Sequence, residues 1–312
     1  MSRLAAVTGA SGFLGRRLVL ALSARGFAVR ALVRRPAPTA AWEGVAVEAV
    51  NGELADPGAL ARLTDGAEVI VHAAGAVKAA SDAAFMTVNA LGAGAAAQAA
   101  ALAGARMVLV SSLSAREPHL SPYAASKRAG ETAAREILGE RLGVVRPPAI
   151  YGPGDAATLD LFRAAAFSPV LPIPDSPDAR LALVFVDDAA AAIADLAQAQ
   201  TGAGPYTTGG ARPRGYAWDE IAHALATAAA RRPRLIHVPP QVLLGAAAVT
   251  DFVQRLTGRP SMFTLGKARE MLHHDWSCDP ADEPPGERAA PLELAEGFLR
   301  TLAWYRRHDW RA

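Results

Sequence analysis

Cysteine is almost absent: Cys278 is the only one in 312 residues, so no internal disulfide can form and nothing points to an oxidising compartment. Lysine is nearly as scarce, with Lys78, Lys127 and Lys267 set against 29 arginines, which makes a lysine used in catalysis easy to look for. Charge of one sign is nowhere concentrated. The formal net charge is +2, from 32 basic and 30 acidic residues, and no stretch gathers the five or more like charges of a polyanion-binding tail, which excludes an obvious nucleic-acid partner. Long hydrophobic runs are missing too. The longest charge-free apolar stretch in the first half, residues 89–105, is mostly Ala and Gly with Gln98 inside it, too weakly hydrophobic for a membrane span and better read as a packed helix leading into a strand. The start, Met1-Ser2-Arg3 and a short apolar run before glycines, has too little hydrophobic length for a signal peptide, so the cytoplasm is the expected location.

What is there is apolar residues at 51%, with 73 alanines among them, enough to bury a full core in one compact unit or two interleaved lobes. Short β-rich runs at residues 4–8, 28–33, 45–50, 68–73, 107–111 and 143–146 alternate with helical patterns at 13–25, 57–63, 83–102 and 122–138. That alternation predicts an α/β fold, a doubly wound Rossmann-type parallel sheet with right-handed crossovers. After Tyr151 the composition shifts toward Pro and Gly. A strand at 181–186 and a helix at 188–199 are expected to return to the main sheet, giving a cofactor domain of residues 1–150 plus about 181–205. Residues 151–180 and 206–312 then form a smaller, mostly helical substrate lobe, closed by a last helix at 292–307.

The first βα turn reads Thr8-Gly9-Ala10-Ser11-Gly12-Phe13-Leu14-Gly15. Gly9 suits a tight turn, Gly12 lets backbone approach a pyrophosphate, Gly15 lets the helix pack on the sheet, and the helix N-terminus offers free N–H donors. An acidic residue at the end of the second strand would select NAD, but the sequence there is Val33-Arg34-Arg35. The Arg34 guanidinium matches the 2′-phosphate of NADP, so NADP is expected over NAD. Glu53-Leu54 and His72-Ala73-Ala74-Gly75 follow the third and fourth strands and are placed at the dinucleotide groove, His72 more as a hydrogen-bonded structural histidine than as a catalyst.

Tyr123 and Lys127 stand at i and i+4 on one helix face in Tyr123-Ala124-Ala125-Ser126-Lys127. A phenol near pKa 10 is a poor base at neutral pH, and an adjacent ammonium together with an oxidised nicotinamide would favour its phenolate, while Lys127 can also bond a nicotinamide ribose. In reduction the Tyr donates a proton to the developing alkoxide and a hydroxyl polarises the carbonyl. Ser112, at the end of the fifth strand, is the candidate for that hydroxyl.

These pieces together resemble the extended branch of the short-chain dehydrogenase/reductase superfamily, the NAD-dependent epimerase/dehydratase type. The matching motifs are TGASGFLG at 8–15, HAAG at 72–75, Asn89, VSS at 110–112, YAASK at 123–127, RPPAIYGPGD at 146–155 and VFVDD at 184–188. The resemblance implies a Ser112-Tyr123-Lys127 catalytic set with Asn89 nearby, and cofactor contacts from Phe13, Leu14, Glu53, Leu54, residues 72–76, Asn89 and Pro148. It also makes a homodimer through the helices at 83–102 and 122–138 an expectation. Sugar-nucleotide members typically carry an Asn shortly before YGP that holds the substrate diphosphate; here Ala149 takes its place, and Leu113 and Ser114 stand where dehydratases keep an Asp-Glu pair. RPPAIYGPGD looks closest to the 3β-hydroxysteroid dehydrogenase and dihydroflavonol reductase branch.

The expected activity is therefore interconversion of a secondary alcohol and a ketone on a hydrophobic or mixed small molecule. The alternatives are a sugar-nucleotide epimerase with tightly bound cofactor and a non-catalytic NADP-binding subunit. Leu113, Tyr151 and Phe162 are candidates for an apolar substrate pocket, with Phe167, Tyr216 and Phe263 behind them. Arg163, Arg180, Arg212 and Arg214 form no assignable diphosphate clamp. His273-His274-Asp275 lacks a matching pair, so no metal site is expected. The apolar segment from Val242 to Val253 reads as an ordinary core helix, with a lid or membrane-touching face as the alternative.

Overall fold

The computed structural model describes residues 3–35, 42, 44–199 and 202–310; Met1 and Ser2, on which the reading of the chain's start rests, lie outside them. The first half alternates strand and helix: β1 (Arg3–Thr8), α1 (Phe13–Ala24), β2 (Phe27–Val33), β3 (Val47–Asn51), α2 (Pro57–Thr64), β4 (Val69–His72), α3 (Asp82–Phe85), α4 (Gly92–Leu102), β5 (Arg106–Val110), α5 (Pro122–Leu138) and β6 (Leu142–Arg146). The second half continues with β7 (Ala149–Tyr151), α6 (Leu159–Phe167), β8 (Val170–Pro174), β9 (Arg180–Leu181), β10 (Leu183–Phe185), α7 (Val186–Gln198) and β11 (Ala203–Thr207). It ends with α8 (Trp218–Ala228), β12 (Arg234–Val238), α9 (Pro240–Thr257), α10 (Leu265–Leu272), β13 (Asp275–Trp276) and α11 (Leu294–Arg307).

Seven parallel strands make the central sheet, in the order β11-β6-β5-β4-β1-β2-β3. Strand order reverses between β1 and β4, and a crevice opens outside their carboxyl ends. The expected fold class is what forms. Its sheet is buried on both faces, as a parallel sheet must be: all of β4 and the last four residues of β1 are buried. On one face Leu18, Val19 and Leu22 of α1 pack with Ile193, Ala194 and Ala197 of α7. On the other, Leu60 and Leu63 of α2 meet Ala93, Ala96 and Ala100 of α4 and Ala134 of α5. Alanine at these helix contacts lets backbones approach closely, so the compositional bias becomes packing.

Helix α3 runs through a π-helical turn, Met86–Leu91, into α4, giving one continuous helix from Asp82 to Leu102. It is the one helix among the described residues long and apolar enough to cross a membrane, with a mean hydropathy of 1.2; its buried side packs on α2 and α5.

Two expectations change. Residues 181–186 do not return to the main sheet: β9 pairs with β13, β10 pairs with β7, and the returning strand is β11, beside β6. Its Gly-Pro interior hid it from a propensity reading. Helix α9 is not a core helix, since Ala247 is its only buried residue.

The C-terminal elements gather around an aromatic cluster. Tyr151 meets Phe185 and Phe298 at ring distances of 5.7 and 5.0 Å, and Phe162 meets Phe298 and Tyr305 at 5.3 and 5.5 Å. Helix α11, with Leu294, Phe298, Leu302 and Tyr305 buried on one face, closes the cluster. Truncating Phe298 to Ala empties its centre, so chemical denaturation should show a loss of about 3–5 kcal/mol; a loss below about 1 kcal/mol would mean that α11 is not part of the cooperative core.

Candidate active site

The βα turn after β1 is shaped by its glycines. Gly9 has φ +73°, and a Cβ there would lie 2.6–2.8 Å from the backbone of Ala73 and Ala74, so only glycine lets the ends of β1 and β4 approach. A Cβ on Gly15 would fall 1.9 Å from the Gly9 carbonyl oxygen, and Gly12 N–H closes the turn onto that oxygen at 2.9 Å. Helix α1 then begins with no side-chain cap and no acidic residue in its first turn, beside exposed Ser11 and Gly12 and half-buried Phe13 and Leu14. This is a cradle for an anionic diphosphate. Arg34 lies exposed immediately after β2, Glu53 is exposed and Leu54 half-buried after β3. The residues present therefore fit a dinucleotide laid across the crevice.

At the end of β4, His72 is buried, its Nδ1 2.9 Å from Thr8 Oγ1, which also accepts from the Ala74 N–H at 3.3 Å. Burial, and then the neighbouring Lys127 charge, push the imidazole down to about 3, so it is neutral at ordinary pH. Its Nε2 has no hydrogen-bond partner among the described residues. That agrees with a structural histidine on the Thr8 side and leaves one buried polar atom unsatisfied at the crevice end.

Gly75 brings this loop to the catalytic elements: a Cβ on it would lie 3.1 Å from Asn89 Oδ1 and 3.7 Å from Lys127 Nζ. Asn89 sits buried in the π-helical turn, an irregularity that recurs at functional sites. Its Oδ1 accepts from the Ala76 N–H at 2.8 Å, and its Nδ2 donates to Ala76 O at 3.0 Å and to Ser126 Oγ at 2.9 Å. Ser126 in turn donates to Tyr123 O at 2.7 Å. Helix α5 can come this close because residue 130 is glycine; a Cβ there would stand 2.5 Å from the Asn89 carbonyl oxygen.

Helix α5 starts at Ser121, whose Oγ accepts from the Ala124 N–H at 3.0 Å, with Pro122 at its first turn. Lys127 Nζ donates to Val110 O at 2.7 Å, at the end of β5. Burial draws the ammonium down to about 8, opposed by Glu131 one turn further on. Tyr123 is hydrogen-bonded to Ser112, yet burial outweighs that bond and pushes the phenol up to about 12, with the Glu270 carboxylate adding to the rise. Among the protein's own groups, burial therefore outweighs what favours the phenolate.

The structure brings Ser112, Tyr123, Lys127 and Asn89 together. Pro148 is buried just after β6, and Leu113 is buried beside Ala182, Trp276 and Cys278. Leu113 also lines a cavity of about 230 Å³ with Arg116, Thr207, Arg214 and Cys278; burial raises the Cys278 thiol to about 11, so it is not a nucleophile at neutral pH. Tyr151, Phe162 and Tyr216 belong instead to the buried aromatic cluster. Three of the four lobe arginines already have partners: Arg163 with Asp160 and Trp310 O, Arg180 with Pro177 O and Ala179 O, Arg212 with Glu220.

Sequence reasoning missed the support behind Lys127. Glu131 makes a two-armed ion pair with Arg146 (2.8 and 2.6 Å) and accepts from Ser111 Oγ at 2.5 Å, all buried. Its position four residues after Lys127 was the available signal. It also missed Glu270 of α10, which accepts from Ser121 Oγ; nothing local marks that contact, 149 residues away in the chain.

Comparison with known proteins gives a match to the NAD dependent epimerase/dehydratase family over residues 5–208. The chain is 48% identical to the ceramide reductase of Caulobacter vibrioides over 306 residues, 98% of this chain and 95% of that one. It is 36% identical to the 4-hydroxy-2-methyl-3-oxo-4-farnesyl-3,4-dihydroquinoline-1-oxide ketoreductase of Stigmatella aurantiaca, over 49% of this chain and 52% of that one. Among solved structures, the dTDP-glucose 4,6-dehydratase DesIV of Streptomyces venezuelae, with NAD bound, superposes with a TM-score of 0.73 over 99% of this chain and 98% of that one, at 22% identity.

Lys127 is charged below about 8 and neutral above it, while Tyr123 keeps its proton to about 12. Turnover that needs the ammonium should therefore hold at neutral pH and decline as pH rises through about 8. A pH profile of kcat that stays flat well beyond that point would show that the Lys127 charge is not used.

Proposed function

The chain belongs to the NAD dependent epimerase/dehydratase family, and from that membership we propose that it is an NADPH-preferring reductase of a ketone on a long-chain or otherwise lipid-like substrate. The observation that carries the reading is the complete donor set at the carboxyl edge of the sheet: Ser112 hydrogen-bonded to a protonated Tyr123, one helical turn from Lys127. A non-catalytic subunit has no need to keep all three.

In this reading the βα turn and the start of α1 hold the pyrophosphate, Arg34 takes the 2′-phosphate, and Lys127 bonds the nicotinamide ribose. The bound nicotinamide supplies a hydride to the carbonyl carbon. Ser112 and Tyr123 hold the carbonyl oxygen, and the Tyr123 O–H gives its proton to that oxygen as negative charge develops. The Lys127 ammonium stabilises the phenolate left behind, and Asn89 fixes the loop at Ala76 and, through Ser126, the first turn of α5.

The substrate class rests on three supports. Ala149 stands where a diphosphate-binding Asn is expected in sugar-nucleotide members. The lobe arginines Arg163, Arg180 and Arg212 bond to the protein itself. The two relatives reported above are named as reductases of a ceramide and of a farnesylated quinoline. The epimerase alternative is supported by the family match and by likeness of fold.

Two substitutions test the reading. Tyr123→Phe should lower kcat for NADPH-dependent reduction of a long-chain ketone by about 10²–10⁴-fold with NADPH affinity unchanged, followed by absorbance of the reduced cofactor; retained turnover would refute the mechanism. Arg34→Asp should weaken NADPH by about tenfold or more and favour NADH in calorimetric titration, and equal affinities before and after would refute the NADPH assignment.

A further inference from the structure

Helix α9 is built inside out. Its inward side, residues 243, 244, 247, 250, 251 and 254, is buried or half-buried. Diametrically opposite lie Val242, Val249, Phe252, Val253 and Leu256, between 49% and 71% exposed. At 100° per residue these five, with Gly245 and Ala246 between them, span about 120° of the helix surface with no charged side chain among them. Surface helices ordinarily present polar residues there, and a contiguous exposed apolar strip marks a contact surface.

We propose that this face seats the protein on a lipid bilayer carrying anionic headgroups. The strip is convex and belongs to one helix, whereas a stable protein interface uses about 20–30 residues a side, so a second copy is the weaker occupant. Cations flank it: Arg255 lies on the shoulder of α9 and Arg259 just past its Gly258 cap, both exposed. Gln254 ties the same end to the carbonyls of Ala79 and Ala80 at 3.2 and 3.4 Å, in a loop that displays Val77 and Lys78. One exposed acid, Asp82, sits near; Asp251 is turned inward to the Leu265 N–H at 3.2 Å. Apolar residues on one side with cations at the margin are what an interfacial helix needs.

The face also leads to the active site. Asp251 holds α10, and Glu270 of α10 bonds Ser121, the cap of the helix that carries Tyr123. Docking thus places α9, joined through α10 to the cap of the helix that carries Tyr123, on the membrane that stores a lipid ketone. That functional consequence rests on the substrate class proposed above; the docking itself rests on the helix face.

Flotation of the full-length chain with vesicles of phosphatidylcholine, and of phosphatidylcholine mixed with phosphatidylglycerol, tests it. The wild type should float with the mixed vesicles and be released by salt. The variant Val249→Ser/Phe252→Ser/Leu256→Ser should lose about tenfold or more of that partitioning while keeping its thermal midpoint and its turnover of a short, soluble ketone. Equal flotation of the two, or no flotation of the wild type, would overturn the proposal. So would a wild-type dimer in light scattering that becomes monomeric in the variant, without vesicle binding. Wild type that floats yet reduces no ketone leaves the docking standing and rejects the proposed function; reduction without flotation does the reverse.

Discussion

The seat of helix α5 on the sheet is the constraint from which the rest of the site follows. Two features hold it: the buried Glu131–Arg146 ion pair, with Ser111 as a third partner, and the missing Cβ at Gly130, which admits the Asn89 backbone. A buried ion pair of this kind contributes little net stability against an apolar replacement. Its value is register. With α5 fixed, Lys127 reaches the end of β5, Ser126 reaches Asn89, and Tyr123 reaches Ser112. The ion pair also sets the field: Glu131 opposes the burial that lowers Lys127, while at Tyr123 burial outweighs the Ser112 hydrogen bond, with Glu270 adding to the rise.

Much of the first half was legible in the sequence. Fully buried strands read as apolar runs, and the glycines at 9, 12 and 15 announced a turn that at positions 9 and 15 leaves no room for a Cβ. Ser112, Tyr123 and Lys127 were legible because their spacing puts them on one helix face and at one strand end. The second half was less so. Strand β11 carries a Gly-Pro pair that mimics a loop, and residues 181–186 have strand character but pair with β7 and β13. Tyr151 and Phe162 have the look of pocket residues, yet α11, far along the chain, covers them. Apolar character alone says that a side chain leaves water, and the tertiary fold decides what it meets.

Helix α9 illustrates the same point from the other side. Its composition suits a core helix, but its apolar residues fall on two opposed faces, and the fold has room for one. Asp251 of α9 bonds the start of α10, and Glu270 of α10 bonds the cap of α5, so the exposed helix and the helix bearing Tyr123 are joined.

The central claim is net hydride transfer from a nicotinamide to a carbonyl that Tyr123 protonates. Its most direct measurement is mass spectrometry of the products when the full-length chain is given C4-deuterated reduced cofactor and a long-chain ketone. The account predicts one deuterium on the carbinol carbon of the alcohol, with oxidised cofactor formed in equal amount. Deuterium that stays in the cofactor while a sugar nucleotide changes configuration would contradict it.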